Sequence, residues 1–465
     1  MKIKFLGAAR QVTGSSYLLD TGRTSLLVDC GLFQERHFSY RNWERFPFAP
    51  DKIDFVLLTH VHLDHSGLLP KLVKEGFRGR VLLTPASAEM LPIVLRDSAK
   101  VQEEDAAFKK KRHGKEGRTG PHPEVPLYDD QDVEKCLRLL KEVQYENYCK
   151  LGNELKVCFH DAGHILGSAM LEVVGQNGTD TRSIVFSGDI GQFNQPILND
   201  PSMFKRADYV VMESTYGSRD HNGVANLRDD LAGVVRDTIG AGGNLLIPVF
   251  AIERAQQVLY YFGRLMREGK IPAVTVFFDS PMGVEITKVF ERSRKYFDEE
   301  ARALYTDGRS PFEFPGLRLV ESVEDSKAIS QFPKPAIIMS GAGMLTGGRI
   351  KHHLAQNIGR AECTLLFVGY QAAGTLGRLL LEGVTPVRIH GQSYDVKIRI
   401  KQLDGFSAHA GMSDLRRWLD GFASPPRRVF LIHGEEEGIT ALADYLHSKG
   451  GWTVTAPHYL EEFEI

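Results

Sequence analysis

The stretch His60-Val61-His62-Leu63-Asp64-His65 sets three imidazoles and a carboxylate within six residues, directly after the apolar run of residues 55–58. Imidazole and carboxylate are borderline ligands that suit zinc, and two such ions about 3.5 to 4 Å apart can act together on one water, the chemistry of metal-assisted hydrolysis. In an extended segment alternate residues share a face, so the spacing predicts that His60 and His62 point at one ion. A helix starting near residues 66–69 then implies a turn that swings Asp64 and His65 toward a second ion. Six residues cannot fill two coordination shells, so further ligands are expected where other apolar runs end. Residues 159–164 deliver His164, residues 183–186 run into Ser187-Gly188-Asp189, and residues 428–432 deliver His433. Taken singly, either histidine reads more readily as structural; together with the first cluster they complete a set.

Asp29, residues 60–65, His164 and Asp189, each preceded by an apolar run, resemble the successive motifs of the metallo-β-lactamase superfamily. Within it the chain is similar to the β-CASP branch of nucleic-acid nucleases. Three further motifs fall at Glu213 in Met212-Glu213-Ser214-Thr215-Tyr216-Gly217, at His409 in Phe406-Ser407-Ala408-His409-Ala410, and at His433 in Leu431-Ile432-His433-Gly434-Glu435. Asp279-Ser280-Pro281-Met282-Gly283 and Gly369-Tyr370-Gln371-Ala372-Ala373-Gly374-Thr375-Leu376-Gly377 also resemble that branch. They look more like the nuclease subunit of the cleavage and polyadenylation machinery than ribonuclease J. The resemblance covers essentially the whole chain and implies an α/β fold: a metallo-β-lactamase αββα sandwich with an inserted β-CASP domain built on a parallel sheet.

The resemblance also implies roles. One zinc ion is held by His60, His62 and His164, the other by Asp64, His65 and His433, with Asp189 between the two, giving two Zn2+ per chain. Asp29 orients a ligand imidazole by accepting its free N–H. Glu213 and His409 stand outside the ligand set: the carboxylate braces the imidazole, which faces the scissile phosphate and assists departure of the leaving oxygen. Asp29, Asp64, Asp189, Glu213 and His409 form the implied catalytic group. RNA-directed members of the branch are similar to this chain in having histidine at the His433 position, where DNA-repair members carry an apolar residue, so RNA is the implied partner.

Composition is compatible with this. The 465 residues are 42% hydrophobic and 25% charged, too long for one ordinary core and ordinary for a globular protein. No apolar run reaches the ~18 residues of a membrane span, and residues 1–7 lack the long apolar core of a signal peptide, so a cytoplasmic protein with no membrane contact is expected. Five scattered cysteines without a Cys-x-x-Cys pair indicate neither a disulfide framework nor a thiolate metal site. The net charge of −2 requires any RNA-binding surface to be local. Lys109-Lys110-Lys111-Arg112 is the clearest basic cluster, read first as a solvated face and second as a flap touching RNA.

The organisation is one lobe interrupted by another. Residues 1–207 read as the first part of a sheet-rich lobe, with strands at 3–6, 16–19 and 25–28, a least regular stretch near 97–131 made of a charged helical piece and then Gly and Pro residues from Gly114, and a helix near 132–143. Residues 208–400 then alternate near-continuous apolar strands (244–250, 273–278, 336–339, 364–368) with helices, the pattern of a parallel sheet covered on both faces. Residues 401–465 return to the first lobe with His409, a helix at 412–419 and His433. The first strand begins at once and few residues follow His433, so no added RNA-binding module or long C-terminal oligomerisation domain is expected. A homodimer is compatible with this but no residue indicates it.

Within the inserted domain, Ser280 and the glycine-rich turn holding Gly343 and Gly347 end strands and open helices, as do Gly377 and Arg378 at the next strand end. Such turns can face an anion, here RNA phosphate in a cleft between lobes, or serve only as tight turns. The turn lacks the Walker lysine-serine pair and the dinucleotide fingerprint, so no nucleotide cofactor is expected. The reading is a two-zinc phosphodiesterase acting internally on single-stranded RNA in processing or decay. The alternative is a 5′ to 3′ exoribonuclease, alone or combined with endonuclease action. A small-molecule metallo-hydrolase has no use for so large an insertion, and a non-catalytic RNA-binding scaffold would have lost ligands that are all present here.

Overall fold

The computed structural model describes residues 1–177, 180–221, 226–306, 310–372 and 374–465; Ala373, within the glycine-rich phrase at 369–377, lies outside the described residues. The described chain forms two compact units. Met1–Gln195, Asn199–Asp220 and His409–Ile465 make the first, and Pro196–Leu198 with His221–Ala408 make the second. Strand Tyr209–Glu213, which a boundary at residue 208 assigns to the inserted domain, pairs in parallel with Asp180–Phe186 and Arg428–Ile432 inside the first unit. Its ladder bonds, satisfied there on both edges, fix that membership.

The first unit is two seven-stranded mixed sheets. One runs Glu462–Glu464, Lys2–Phe5, Tyr17–Asp20, Ser25–Val28, Phe55–Leu57, Arg80–Leu83, Leu140–Glu142. The other runs Val454–Thr455, Arg428–Ile432, Tyr209–Glu213, Asp180–Phe186, Ala169–Asn177, Leu155–Asp161, Cys149–Leu151. Alternate side chains from the two sheets interdigitate: Phe5, Leu19, Leu26, Val28 and Leu57 from the first meet Val157, Phe159, Leu171, Phe186, Val211 and Phe430 from the second. Each such side chain contributes about 1.5 to 3 kcal/mol when fully buried, so the inter-sheet layer holds the strand ends in register. Helices Met412–Leu419 and Glu436–Lys449 cover the outer face of the second sheet through Leu415, Trp418, Leu442 and Leu446. Helices Leu69–Lys74, Pro85–Glu116 and Asp130–Leu137 pack together beside the first sheet. This is the αββα layering the family resemblance implies.

The second unit is built on a fully parallel six-stranded sheet, in the order Leu317–Leu319, Thr275–Asp279, Ala336–Ser340, Leu245–Pro248, Thr364–Phe367, Arg399–Gln402. Its helices Arg254–Arg267, Pro281–Arg292, Ile350–Asn357 and Leu376–Leu381 follow the expected strands.

The charged helical piece expected at the start of the 97–131 stretch is the end of a longer helix, Pro85–Glu116, which runs 32 residues, takes Pro92 and Gly114 in its interior, and ends at Gly117 in the left-handed conformation (φ 62°). The helix expected at 132–143 is two elements: Asp130–Leu137, opened by a capping box between Asp129 and Asp132, then the edge strand Leu140–Glu142.

Candidate metal centre

Every candidate ligand, with Asp29, lies in the first unit, on the segments that leave its strand ends. Asp29 follows Ser25–Val28 and His60 follows Phe55–Leu57 in one sheet; His164, Asp189 and His433 follow Leu155–Asp161, Asp180–Phe186 and Arg428–Ile432 in the other. Asp29 and His433 take left-handed backbone (φ 58° and 46°), which turns each chain sharply off its strand. Gly191 permits a second close approach: a Cβ there would stand 1.9 Å from the Gly163 carbonyl, next to the loop that carries His164. The helix at the first cluster begins earlier than the spacing predicts. It spans Leu63–Ser66, so Asp64 and His65 sit in its own turn and are redirected by the helix itself.

The imidazoles converge nitrogen to nitrogen. Nε2 of His60 lies 3.1 Å from Nδ1 of His62, and Nε2 of His164 lies 3.3 Å from the same Nδ1. Asp189 presents Oδ2 to this group, 3.4 Å from His60 and 3.5 Å from His164. Its Oδ1 faces the second group, 3.2 Å from Nε2 of His65, whose Nε2 lies 3.3 Å from Nε2 of His433. Asp64 Oδ2 stands 3.5 Å from that His433 nitrogen. Asp189 therefore spans two clusters, His60 with His62 and His164, and Asp64 with His65 and His433.

The donor set fits divalent cations. Burial and neighbouring imidazoles push His60 down to about 3 and His164 well below the ordinary histidine range, while burial brings His62 down to about 4. All three are then neutral lone-pair donors at physiological pH, the form a metal requires. Against burial, Asp189 and Asp29 raise His65 well above the ordinary range and Asp189 and Asp64 raise His433, so a cation there would displace a ring proton from each. Although burial opposes ionisation, surrounding imidazoles hold Asp189 and Asp64 below the usual carboxylate range. Oδ1 of Asp189 is buried with no hydrogen-bond donor, a costly state for a carboxylate oxygen that a cation would relieve.

Oriented acceptors support the ring positions. Asp29 Oδ2 holds Nδ1 of His65 at 2.7 Å and accepts the Thr59 hydroxyl at 2.8 Å. That hydroxyl lies 3.0 Å from Nδ1 of His60, so one carboxylate orients imidazoles of both clusters. Thr59 escaped the sequence reading because a hydroxyl at a strand end leaves no periodic signal.

His409 sits at the margin of the clusters. Its Nδ1 is 3.4 Å from Glu213 Oε1 and 3.9 Å from Asp189 Oδ2, and its ring centroid is 4.5 Å from that of His164. Burial alone would lower its pKa, but Glu213 and Asp189 outweigh it and push the imidazole up to about 9. An antiparallel bridge between Gly191 and His409, with the Ala410 amide donating to Ile190 at 2.7 Å, pins the returning segment beside the Asp189 loop.

The candidate substrate residues Ser280, Gly343, Gly347, Gly377 and Arg378 all belong to the second unit. Ser280 caps helix Pro281–Arg292 by accepting the Gly283 amide. The carboxylate of Asp279 before it is buried and accepts from Ser326 at 2.6 Å, Arg349 at 2.7 Å and His353 at 2.7 Å, which gives that phrase a structural purpose. A Cβ at Gly343 would strike the Phe250 ring at 2.8 Å and one at Gly377 would strike Gln371 Oε1 at 1.8 Å, so both glycines serve packing. Arg378 pairs with Glu382 at 2.6 Å, while a Cβ at Gly347 would meet nothing within 4 Å.

Comparison with known proteins agrees with this architecture. Residues 9–141 match the metallo-beta-lactamase superfamily, residues 255–380 the Beta-Casp domain, and residues 393–457 the Zn-dependent metallo-hydrolase RNA specificity domain. Ribonuclease TTHA0252 of Thermus thermophilus is 39% identical over 451 residues, covering 97% of each chain. Transcription termination factor FttA of Methanosarcina mazei is 31% identical over 464 residues, 97% of this chain and 69% of that one. A protein of unknown function from Enterococcus faecalis V583 shares the fold over 99% of both chains, with a TM-score of 0.56 at 13% identity. Among the described residues no helix is long and apolar enough to cross a membrane. The chain belongs to the metallo-β-lactamase superfamily, in its β-CASP branch, and is a metal-dependent hydrolase.

Proposed function

We propose that the protein hydrolyses RNA phosphodiester bonds with two zinc ions, cutting single-stranded RNA internally. The observation that carries this reading is the bridging position of Asp189, whose two oxygens face separate ligand clusters. His60, His62 and His164 would hold one ion, Asp64, His65 and His433 the other. When bound, the pair supplies Lewis acidity and a water-derived nucleophile at neutral pH. The chain's own part is to fix that geometry and to place a proton donor beside it. His409, braced by Glu213, is set to protonate the departing oxygen. Products then carry a 5′ phosphate and a 3′ hydroxyl. RNA as the substrate is supported by the ribonuclease name of the 39% identical relative and by the match to the RNA specificity domain.

The glycine-rich turns at Gly343 and Gly347 remain proposed phosphate contacts in the second unit. An internally labelled circular RNA, incubated with the zinc-loaded protein beside a linear RNA bearing a 5′ phosphate, tests the mode. Cleavage of the circle supports the endonuclease reading; an intact circle with a degraded linear strand makes the enzyme a 5′ to 3′ exonuclease. Metal analysis of protein purified without chelator counts the ions.

A further inference from the structure

The ring of His433 is oriented by a group of a different kind from the carboxylate that serves His65. Strands Tyr209–Glu213 and Arg428–Ile432 run parallel with Glu213 opposite Ile432, so the residues just past their ends leave the sheet side by side. The Ser214 amide donates to the His433 carbonyl at 3.1 Å, and the Ser214 hydroxyl donates to the Ile432 carbonyl at 2.7 Å, which locks the two exits together. Thr215 is thereby delivered to the His433 ring. Its Oγ1 lies 3.0 Å from Nδ1 of His433 and 3.0 Å from the His433 carbonyl oxygen.

A hydroxyl has one hydrogen to give. Donated to the carbonyl, which can only accept, it leaves an oxygen lone pair facing Nδ1, so Nδ1 must carry the ring proton. The other nearby acceptor, Asp189 Oδ1, is 3.6 Å from that nitrogen, too far to compete. Nε2 of His433 then keeps its lone pair, aimed into the 3.3 Å gap toward Nε2 of His65. Since Asp29 occupies Nδ1 of His65, both rings turn Nε2 toward each other, set by unrelated partners.

We infer that Thr215 is a positioning residue that sets the tautomer of His433 and, through it, the affinity of the Asp64, His65 and His433 cluster for its cation. The inference rests on the two-ion reading above. It divides the turn after strand Tyr209–Glu213 between two tasks: Glu213 braces His409, and Thr215, two residues on, braces a ligand.

Zinc titration against a chromophoric chelator, reading the affinity of each ion separately, tests it in three proteins. The unaltered protein binds two ions tightly. Thr215→Val, which removes the hydroxyl at nearly constant volume, keeps the first affinity and binds the second ion about 10- to 100-fold more weakly, the usual effect of losing an outer hydrogen bond to a ligand imidazole. Thr215→Ser restores both. Two equal and unchanged affinities in Thr215→Val overturn the inference alone, as does a Thr215→Ser protein as weak as the valine variant. Failure of the unaltered protein to take a second ion overturns the two-ion reading and the inference with it. Nitrogen-15 ring shifts of His433 in the unaltered protein give a check that needs no variant: Nδ1 protonated supports the inference, and Nδ1 unprotonated ends it.

Discussion

Glu213 meets Nδ1 of His409 at 3.4 Å through the same oxygen that accepts the Ile190 amide at 2.6 Å. The amide belongs to the residue just after Asp189, so a single buried carboxylate ties the returning histidine to the loop that spans both clusters. Glu213 cannot move toward or away from the ring without breaking that backbone bond, so the carboxylate that His409 faces is held in place.

If His409 acts as a proton donor outside the ligand set, its loss spares the metal. Loss of a positioned acid typically costs about 10² to 10⁴ in rate. His409→Ala is expected to retain two ions and bind RNA nearly as before while single-turnover cleavage slows by that factor, and Glu213→Gln to show a milder form. Zinc loss in His409→Ala would make the residue a ligand.

Removing a ligand acts on metal and rate together. Asp189→Ala or His62→Ala is expected to lower zinc content and abolish cleavage, because each strips a donor from a coupled site. Stripping the unaltered protein with chelator should lower its thermal unfolding midpoint, since ions that bind only the folded clusters stabilise them by mass action. Full zinc content with normal activity in either variant, measured by metal analysis and RNA cleavage, contradicts the ligand scheme.

Salt reports on the RNA surface. Lys109, Lys110 and Lys111 are exposed near the end of helix Pro85–Glu116, and Arg112 there is paired with Glu116 at 2.8 Å. With a near-neutral chain, log affinity for single-stranded RNA should fall with log salt at a slope of only about −1.5 to −3, the value for two to four phosphate contacts. Reversing both Lys109 and Lys110 to glutamate should leave affinity and slope nearly unchanged in filter binding. A severalfold loss would place RNA on this helix.

A pH-dependent contribution to stability is expected away from the metal. Burial alone would lower His160, but the hydrogen bond to Glu172 and the charge of Glu146 outweigh it and raise the imidazole above its ordinary value. A raised histidine stabilises the fold fully below its unfolded pKa of about 6.5 and loses that contribution as pH rises through the folded value. The unfolding midpoint of Glu172→Gln should therefore lie below that of the unaltered protein near pH 6 and approach it in more alkaline buffer. A gap that widens with pH would remove His160 from the account.

The parts of the site legible in sequence were those whose chemistry forces a spacing. His60 and His62 stand two apart because a strand exit demands it, and His164, Asp189 and His433 stand out as polar groups closing apolar runs. Thr59 and Thr215 carry no such mark, since their meaning lies in which strand end is adjacent in space. The full extent of helix Pro85–Glu116 was obscured by Gly114, a residue that punctuates a pattern read locally but is tolerated once a helix is held by packing along its length. Strand Leu140–Glu142 is three residues long, too short for an alternation to register, and takes its conformation from pairing with Arg80–Leu83.

The ligand clusters draw on residues separated by the whole of the second unit, with His433 translated after His221–Ala408. A chain emerging from the ribosome therefore carries His60, His62, His164 and Asp189 long before it carries His409 or the last ligand. Under the proposed function, no partial product of translation that ends before residue 433 holds a finished cutting site.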